Sequence, residues 1–352
     1  MHTTDTRPDK GEGKESLGKQ ALIACAAAAA VAAVFLLIWH AFDVFLLIFA
    51  GVLLSVLLYG LASRLSTLLP LSYRWCFGIV VISMLAIVGL LGWFFANRIS
   101  GEMDQLTERL PKAASQMLER LERYDWIQRA VDGAPGPERL LRNQPELMTK
   151  ATGIVSTTVS AITSGFVILF IGLYLSFDPE LYKRGVLRLI PAKRRERAAA
   201  VLSKLRETLW WWLLAHIGSM TVVGLLTTIG LWALGIPLAL ALGVIAAILA
   251  FIPNIGPVLA AVPAILLAVT ESPDKALYVG LLYIAVQAVE TNLITPVFEL
   301  KAVSMPPALT ISVQLLLGSL AGILGLLMAS PICAASMVLV QMLYVEDWLQ
   351  ER

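Results

Sequence analysis

Glu290 is the residue whose setting most suggests chemistry. It stands inside the apolar stretch from Ala276 to Phe298, which holds no basic residue. A carboxylate at membrane depth costs several kcal/mol unless it is paired, protonated or wetted, and such groups usually mark ion or substrate paths. At about 100° per residue, Gln287, Glu290, Thr291 and Thr295 share one helical arc, with Asn292 at its edge. Pro296 removes the amide that would otherwise bond the Asn292 carbonyl, which adds an acceptor close by. Such a set can exchange a proton, hydrogen-bond a polar solute, or offer oxygen ligands to a hard cation. The plainer alternative is a neutral carboxyl hydrogen-bonded between two helices.

Enzymatic chemistry has no comparable signature. His2, His40 and His216 are too dispersed for a metal site, and no catalytic triad presents itself. Cys25, Cys76 and Cys333 lie in apolar runs, an odd number without metal or redox spacing. Gly13-Lys14-Glu15-Ser16 lacks the upstream glycine spacing and the preceding strand of a phosphate loop. The expectation is a protein that is not an enzyme, with no catalytic residues, metal or cofactor.

Two interrupted elements are expected to position the polar groups. In Phe251-Ile252-Pro253-Asn254-Ile255-Gly256-Pro257, two prolines sit between apolar runs too short to span a bilayer singly. Pro253 and Pro257 would strand the carbonyls of Leu249 and Pro253, and push Ile252 and Gly256 toward extended geometry. Bare carbonyls at membrane depth are tolerated only inside protein or beside a wet cavity. The first broken element is therefore placed at 237–270, with Asn254 as a polar group at its break; a short turn between tilted spans is the alternative. The second, 307–344, is expected to break over Gly325-Leu326-Leu327-Met328-Ala329-Ser330-Pro331, with Gln314 nearby. Whether either crosses fully or re-enters stays open.

The rest of the chain fits a membrane protein. Of 352 residues, 58% are hydrophobic and 15% charged, with a mean hydropathy of +0.78; soluble domains average about 45–50% and about 25%. The fold class expected is all-α polytopic, with about six full spans plus two broken or re-entrant hairpins, up to about 8–10 membrane segments. A disordered tail (1–19) precedes three spans (20–96), a polar helical insert (97–150) and a transport core (151–352). The first span is retained rather than cleaved, because its bulky residues follow its small ones. Residues 178–207 hold nine Lys or Arg against four Asp or Glu. The tail also carries four Lys or Arg, balanced by four Asp or Glu, and the Arg64/Arg74 loop is basic. The positive-inside rule, which counts Lys and Arg, puts all three, and both termini, in the cytoplasm.

The insert, with nine basic and nine acidic residues, then lies outside. Met103, Leu106, Leu110, Met117, Leu121 and Tyr124 form an amphipathic stripe that must lie against something, and protein contact is favoured over lipid because its charge is balanced. Ala134-Pro135-Gly136-Pro137 ends it. Trp210, Trp211 and Trp212 read as an interfacial aromatic belt, with His216 also interfacial. Ser156, Thr157, Thr158, Ser160, Thr163 and Ser164 read as helix contacts or a path lining. Gly318 and Gly322 read as close helix packing. Nothing resembles a nucleic-acid surface.

Phe251 to Pro257 resembles the Pro-x-x-Gly-Pro hallmark of the autoinducer-2 exporter family. So does Gln287-x-x-Glu290-x-Asn292-x-x-x-Pro296, followed by Pro306-Pro307 and the series Gly318, Gly322, Gly325 and Pro331. The similarity runs from about residue 20 to 345 and includes the long insert. It implies a bacterial inner-membrane permease; members have been linked to export of the quorum-sensing signal autoinducer-2 and some to sodium/proton antiport. It also implies a homo-oligomer, with a pentamer as one candidate and the helix near 101–131 as a natural contact.

Three functions are carried forward. The first is a proton-coupled secondary exporter of a small polar metabolite. In it Glu290 carries protons, Gln287, Thr291, Asn292 and Asn254 bind solute or ion, and Pro253, Gly256, Pro257, Pro296, Gly325 and Pro331 shape the opening. The second is a Na⁺ or Li⁺/H⁺ antiporter using the same carboxylate. The third is a scaffold that does not transport, built around the external helix.

Overall fold

The computed structural model describes residues 42–121, 163–294 and 306–349. The tail, the first span, the insert beyond Leu121, Ser156 to Ser160, Thr295, Pro296, Glu299 and Lys301 lie outside the described residues. The chain divides into two units, Met1–Leu46 and Leu47–Arg352, and the packing below is that of the second.

Every described element is a helix, and no strand occurs among the described residues. Long apolar helices follow from the long uncharged runs. They are α1 (Phe42–Leu68), the Tyr73–Phe94 part of α2 (Tyr73–Leu121), the α5 region (α5 itself is Arg195–Ala233) and α9 (Pro307–Leu339). Each is long and apolar enough to cross a membrane. A fifth candidate is the pair α3 (Thr163–Phe177) and α4 (Pro179–Arg188), bent by 86°. Asp178 sits at that bend as N-cap, accepting from the Leu181 amide at 3.2 Å, with Pro179 opening α4. The protein is an all-α polytopic membrane protein. Fewer described helices meet the full-span criterion than the six expected, because several apolar stretches are divided or lie outside the described residues.

The insert differs from expectation. Span three and the amphipathic stripe form one 49-residue helix, α2, because Asn97-Arg98-Ile99-Ser100 contains nothing that stops a helix. At 1.5 Å per residue it reaches about 73 Å, far beyond a bilayer of about 30 Å.

The centre of the unit is built from α5, α6 (Ala239–Leu249), α7 (Ile255–Glu271) and α8 (Pro273–Val289). Leu231, Leu242, Ala264, Ala268 and Val279 are fully buried among them. Small residues let α5 and α6 approach closely: a Cβ on Gly243 would overlap the Thr228 hydroxyl, and one on Gly224 would press on Ala247. Ser272 caps α8 by accepting from the Lys275 amide at 3.2 Å, with Pro273 at the first position.

The basic segments meet at one end. The Arg64 guanidinium lies over the Trp210 and Trp211 rings at 5.3 and 5.4 Å, and Arg206 over Tyr59 at 4.9 Å. Tyr73 donates to the Ser176 carbonyl at 2.6 Å. Arg197 reaches Glu346 and Asp347 near the described C-terminus. This gathers the Arg64/Arg74 loop, the 178–207 connection and the end of α9 on one side. The aromatic belt is corrected by the same contacts. Trp210 and Trp212 are buried by neighbouring helices, Trp210 so tightly that a Cβ on Gly60 would strike its ring.

Candidate functional site

The broken elements begin with the prolines and glycines. Pro253 lies in the turn between α6 and α7, and Pro257 in the first turn of α7, where a missing amide hydrogen leaves no helical bond unmade. The expected stranded carbonyls are in fact satisfied. Leu249 accepts from the Ile252 amide at 2.9 Å, and Pro253 from the Ile255 amide at 2.8 Å. The Pro253 carbonyl also receives the Gln314 side-chain amide of α9 at 3.1 Å. Gly256 is helical rather than extended, and a Cβ there would overlap the Leu249 carbonyl. Asn254, at φ +66°, occupies the N-cap position of α7, but it is exposed and its side chain makes no capping bond.

The second break lies earlier than expected. Helical geometry is lost at Ala321 and Gly322, the latter at φ +58° and ψ −136°, a backbone that glycine adopts without a steric penalty. Pro331 lies inside the second limb, buried beside Ser330. Gly325 follows the break, and a Cβ on it would overlap the Leu317 carbonyl of the first limb. The two elements therefore share one device. In each, the glycine that starts the returning limb sits against a carbonyl ending the outgoing limb.

One face of α5 meets the first break and the second limb of α9. Trp212, His216, Ser219, Val223 and Thr227 recur every three or four residues and so line one helical stripe. The Trp212 indole donates to Ser330 at 3.2 Å. His216 stacks on Trp212 with ring centroids 3.9 Å apart, and Phe251 of the first break meets both rings edge-on at 5.8 and 5.9 Å. His216 is thus part of a packed aromatic cluster rather than an interfacial residue.

One turn further along α5, the Ser219 hydroxyl donates to Glu290 Oε1. Glu290 opens a π-helical turn, Glu290–Ile294, that follows α8. The regular α-helical arc expected from the sequence is therefore replaced by a wider turn at the carboxylate itself. Gln287 and Thr291 do meet, with the amide donating to the hydroxyl at 3.3 Å, while the Asn292 amide donates back to the Ala288 carbonyl at 2.8 Å. Asn254 forms no side-chain hydrogen bond among the described residues.

Thr227 Oγ1, Tyr283 Oη and Gln314 Oε1 are buried without a hydrogen-bond partner among the described residues. Leaving such an atom dry costs about 1–3 kcal/mol. They lie on α5, α8 and α9, the same helices that carry Ser219, Glu290 and the second break. No cluster of three or more His, Cys, Asp or Glu able to hold a metal occurs among the described residues. What the arrangement can do is exchange protons at one carboxylate and present hydroxyl and amide oxygens to a solute.

Ser219 was missed in the sequence because serines are common in apolar helices. Its only signal was its place on the stripe after Trp212 and His216. Ser330 was read as part of an interruption, and its partner Trp212 as an interfacial ring.

Comparison with known proteins agrees with a transport role. The family model described as AI-2E family transporter matches residues 27–344. The chain is 31% identical over 195 residues to the provisionally named transport protein YueF of Bacillus subtilis (strain 168), covering 55% of this chain and 53% of that protein. It is 32% identical over 170 residues to a second provisionally named transport protein of that organism, YrrI, covering 48% of each. A third, YhhT of Escherichia coli (strain K12), is 22% identical over 271 residues, 72% of each chain. The matched segments span about half the length of the two Bacillus relatives.

Proposed function

The chain belongs to the AI-2E transporter family, and from that premise we propose that it is a proton-coupled secondary exporter of a small polar metabolite of the autoinducer-2 class. The observation that carries the reading is the Glu290 carboxylate, held by Ser219 across two helices within apolar surroundings. A proton on Glu290 neutralises it and removes the main electrostatic cost of moving it within the membrane. Gln314, whose amide nitrogen bonds the Pro253 carbonyl, joins the two broken elements and leaves an amide oxygen for a solute donor. The protein acts in the bacterial inner membrane with its basic end in the cytoplasm, as a homo-oligomer contacted through the helix near 101–131.

A second reading is supported by the same pair: Ser219 and Glu290 supply only oxygen, the donor type hard cations prefer. Antiport of Na⁺ or Li⁺ against protons would use them directly.

Proton flux in proteoliposomes separates the readings. Metabolite-driven flux that Glu290→Gln abolishes supports export, and cation-driven flux lost in the same variant supports antiport. Equal flux in both proteins sinks the coupling role of Glu290. If deletion of 101–131 then disrupts assembly while Glu290→Gln changes no transport, the chain is a scaffold.

A further inference from the structure

We propose that α4 lies along the cytoplasmic leaflet of the bilayer and binds acidic lipid headgroups, as a surface separate from the path around Glu290.

The placement follows from α3. Three contacts tie it to α1: a Cβ on Gly51 would strike the Ile171 side chain, one on Gly172 would strike Leu54, and the Ser176 hydroxyl lies 3.2 Å from the Ser55 carbonyl oxygen. These partners advance together along both helices, so α3 runs parallel to α1, which is long enough to cross a membrane. α4 leaves α3 at 86° and therefore runs along the membrane plane. The bend sits at the start of α2, where Tyr73 donates to the Ser176 carbonyl and the Arg74 guanidinium lies over the Phe177 ring at 5.9 Å. A guanidinium at that level belongs to the boundary between hydrocarbon and water.

The side chains of α4 suit that boundary. At about 100° per residue, Leu181, Tyr182, Gly185, Val186 and Leu189 cover an arc of about 140°. None of the ten residues of α4 is buried, and Leu189, which follows its last turn, is 87% exposed. Lys183, Arg184 and Arg188 occupy the rest of the circumference. Leu187 and Ile190 fall there too; both are less exposed, and Ile190 lines the cavity beside α5. The apolar arc is thus turned away from the body of the protein.

Apolar exposure alone does not choose a partner, but charge does. From Pro179 to Arg195 there are six Lys or Arg against one Glu. Glu180 pairs with Lys183 at 3.7 Å, while Arg188, Lys193 and Arg194 form no ion pair among the described residues. A second copy docked here would bring like charge against like charge. An anionic leaflet offers hydrocarbon to the arc and phosphates to the cations, whose aliphatic stems can lie along the apolar edge.

Amide exchange across Tyr182–Leu189 tests this, with the full chain in nanodiscs of phosphatidylcholine alone or with about 30% phosphatidylglycerol. The expected result is exchange about tenfold slower in the anionic discs. That protection should vanish in the triple variant Lys183→Gln, Arg184→Gln, Arg188→Gln, and fall in Leu181→Ser with Leu189→Ser. If the variants do not insert, the wild-type chain is followed as NaCl rises from about 0.05 M to about 0.5 M, and the protection should fade with the screening length. Equal exchange in the two lipids, or protection that survives the variants or the salt, overturns the proposal. So does equal protection by inorganic phosphate in neutral discs, which marks a free-anion site. Protection that follows the number of copies per disc rather than the lipid also overturns it, and marks a contact between copies.

Discussion

At the scale of single residues, Gly256 and Gly325 carry the most specific structural demand. Each sits where a Cβ would overlap a main-chain carbonyl, that of Leu249 or of Leu317. A backbone atom cannot swing aside as a side-chain tip can, so the returning limb must shift. Gly256→Ala and Gly325→Ala should each destabilise the protein by about 1–3 kcal/mol, read as a lower unfolding temperature in lipid nanodiscs. Gly78→Ala, where nothing approaches, should change little. Equal temperatures for all three variants would refute the close-approach argument. Gly256 was legible in the sequence because two prolines flank it. Gly325 was legible as a residue but misread as the break itself: Pro331 drew attention, yet a proline inside a long buried limb only removes one bond, whereas Gly322 adopts the turning backbone.

At the scale of elements, the long α2 helix is tied to the first broken element. Glu102 accepts from the Ala241 amide at 3.0 Å, in the first turn of α6, whose own N-cap residue Leu238 lies at φ +61° and offers no side-chain acceptor. A carboxylate there satisfies an orphan amide and complements the helix dipole. Glu102→Ala should therefore cost about 1 kcal/mol and raise amide exchange at Ala239 to Ala241, while Glu102→Gln retains part of the protection. Unchanged exchange in the alanine variant would show that α6 does not depend on this contact. The sequence made the amphipathic stripe of α2 legible through its spacing. It could not show that the stripe continues span three without a break, nor which helix start Glu102 meets 139 residues away. Likewise Glu290 was visible as a lone acid in an uncharged run, whereas Ser219, 71 residues distant, becomes its partner only through packing.

At the scale of the whole molecule, the second limb of α9, with the π-helical stretch Val340–Glu346 that follows it, is fastened to α5 at two places. Ser330 accepts from Trp212 within that limb. At the basic end, Arg197 donates to the Met342 carbonyl at 2.7 Å and pairs with Glu346 and Asp347 at 2.9 Å. A cavity of about 830 Å³ adjoins this clasp, lined by Ile190, Arg194, Val201, Leu343 and Trp348 among others. The clasp is about one-third exposed, so water screens it and its worth to stability is about 0–1 kcal/mol. Its importance is then mechanical: it joins the ends of two helices that must part if α9 moves against α5 during transport. Arg197→Ala should leave the unfolding temperature nearly unchanged, raise amide exchange across Val340–Glu346, and alter turnover more than apparent solute affinity. A large loss of stability would make the clasp a structural rivet instead. Unchanged exchange and turnover would shift the hinge between α5 and α9 to the Trp212–Ser330 hydrogen bond inside the second limb.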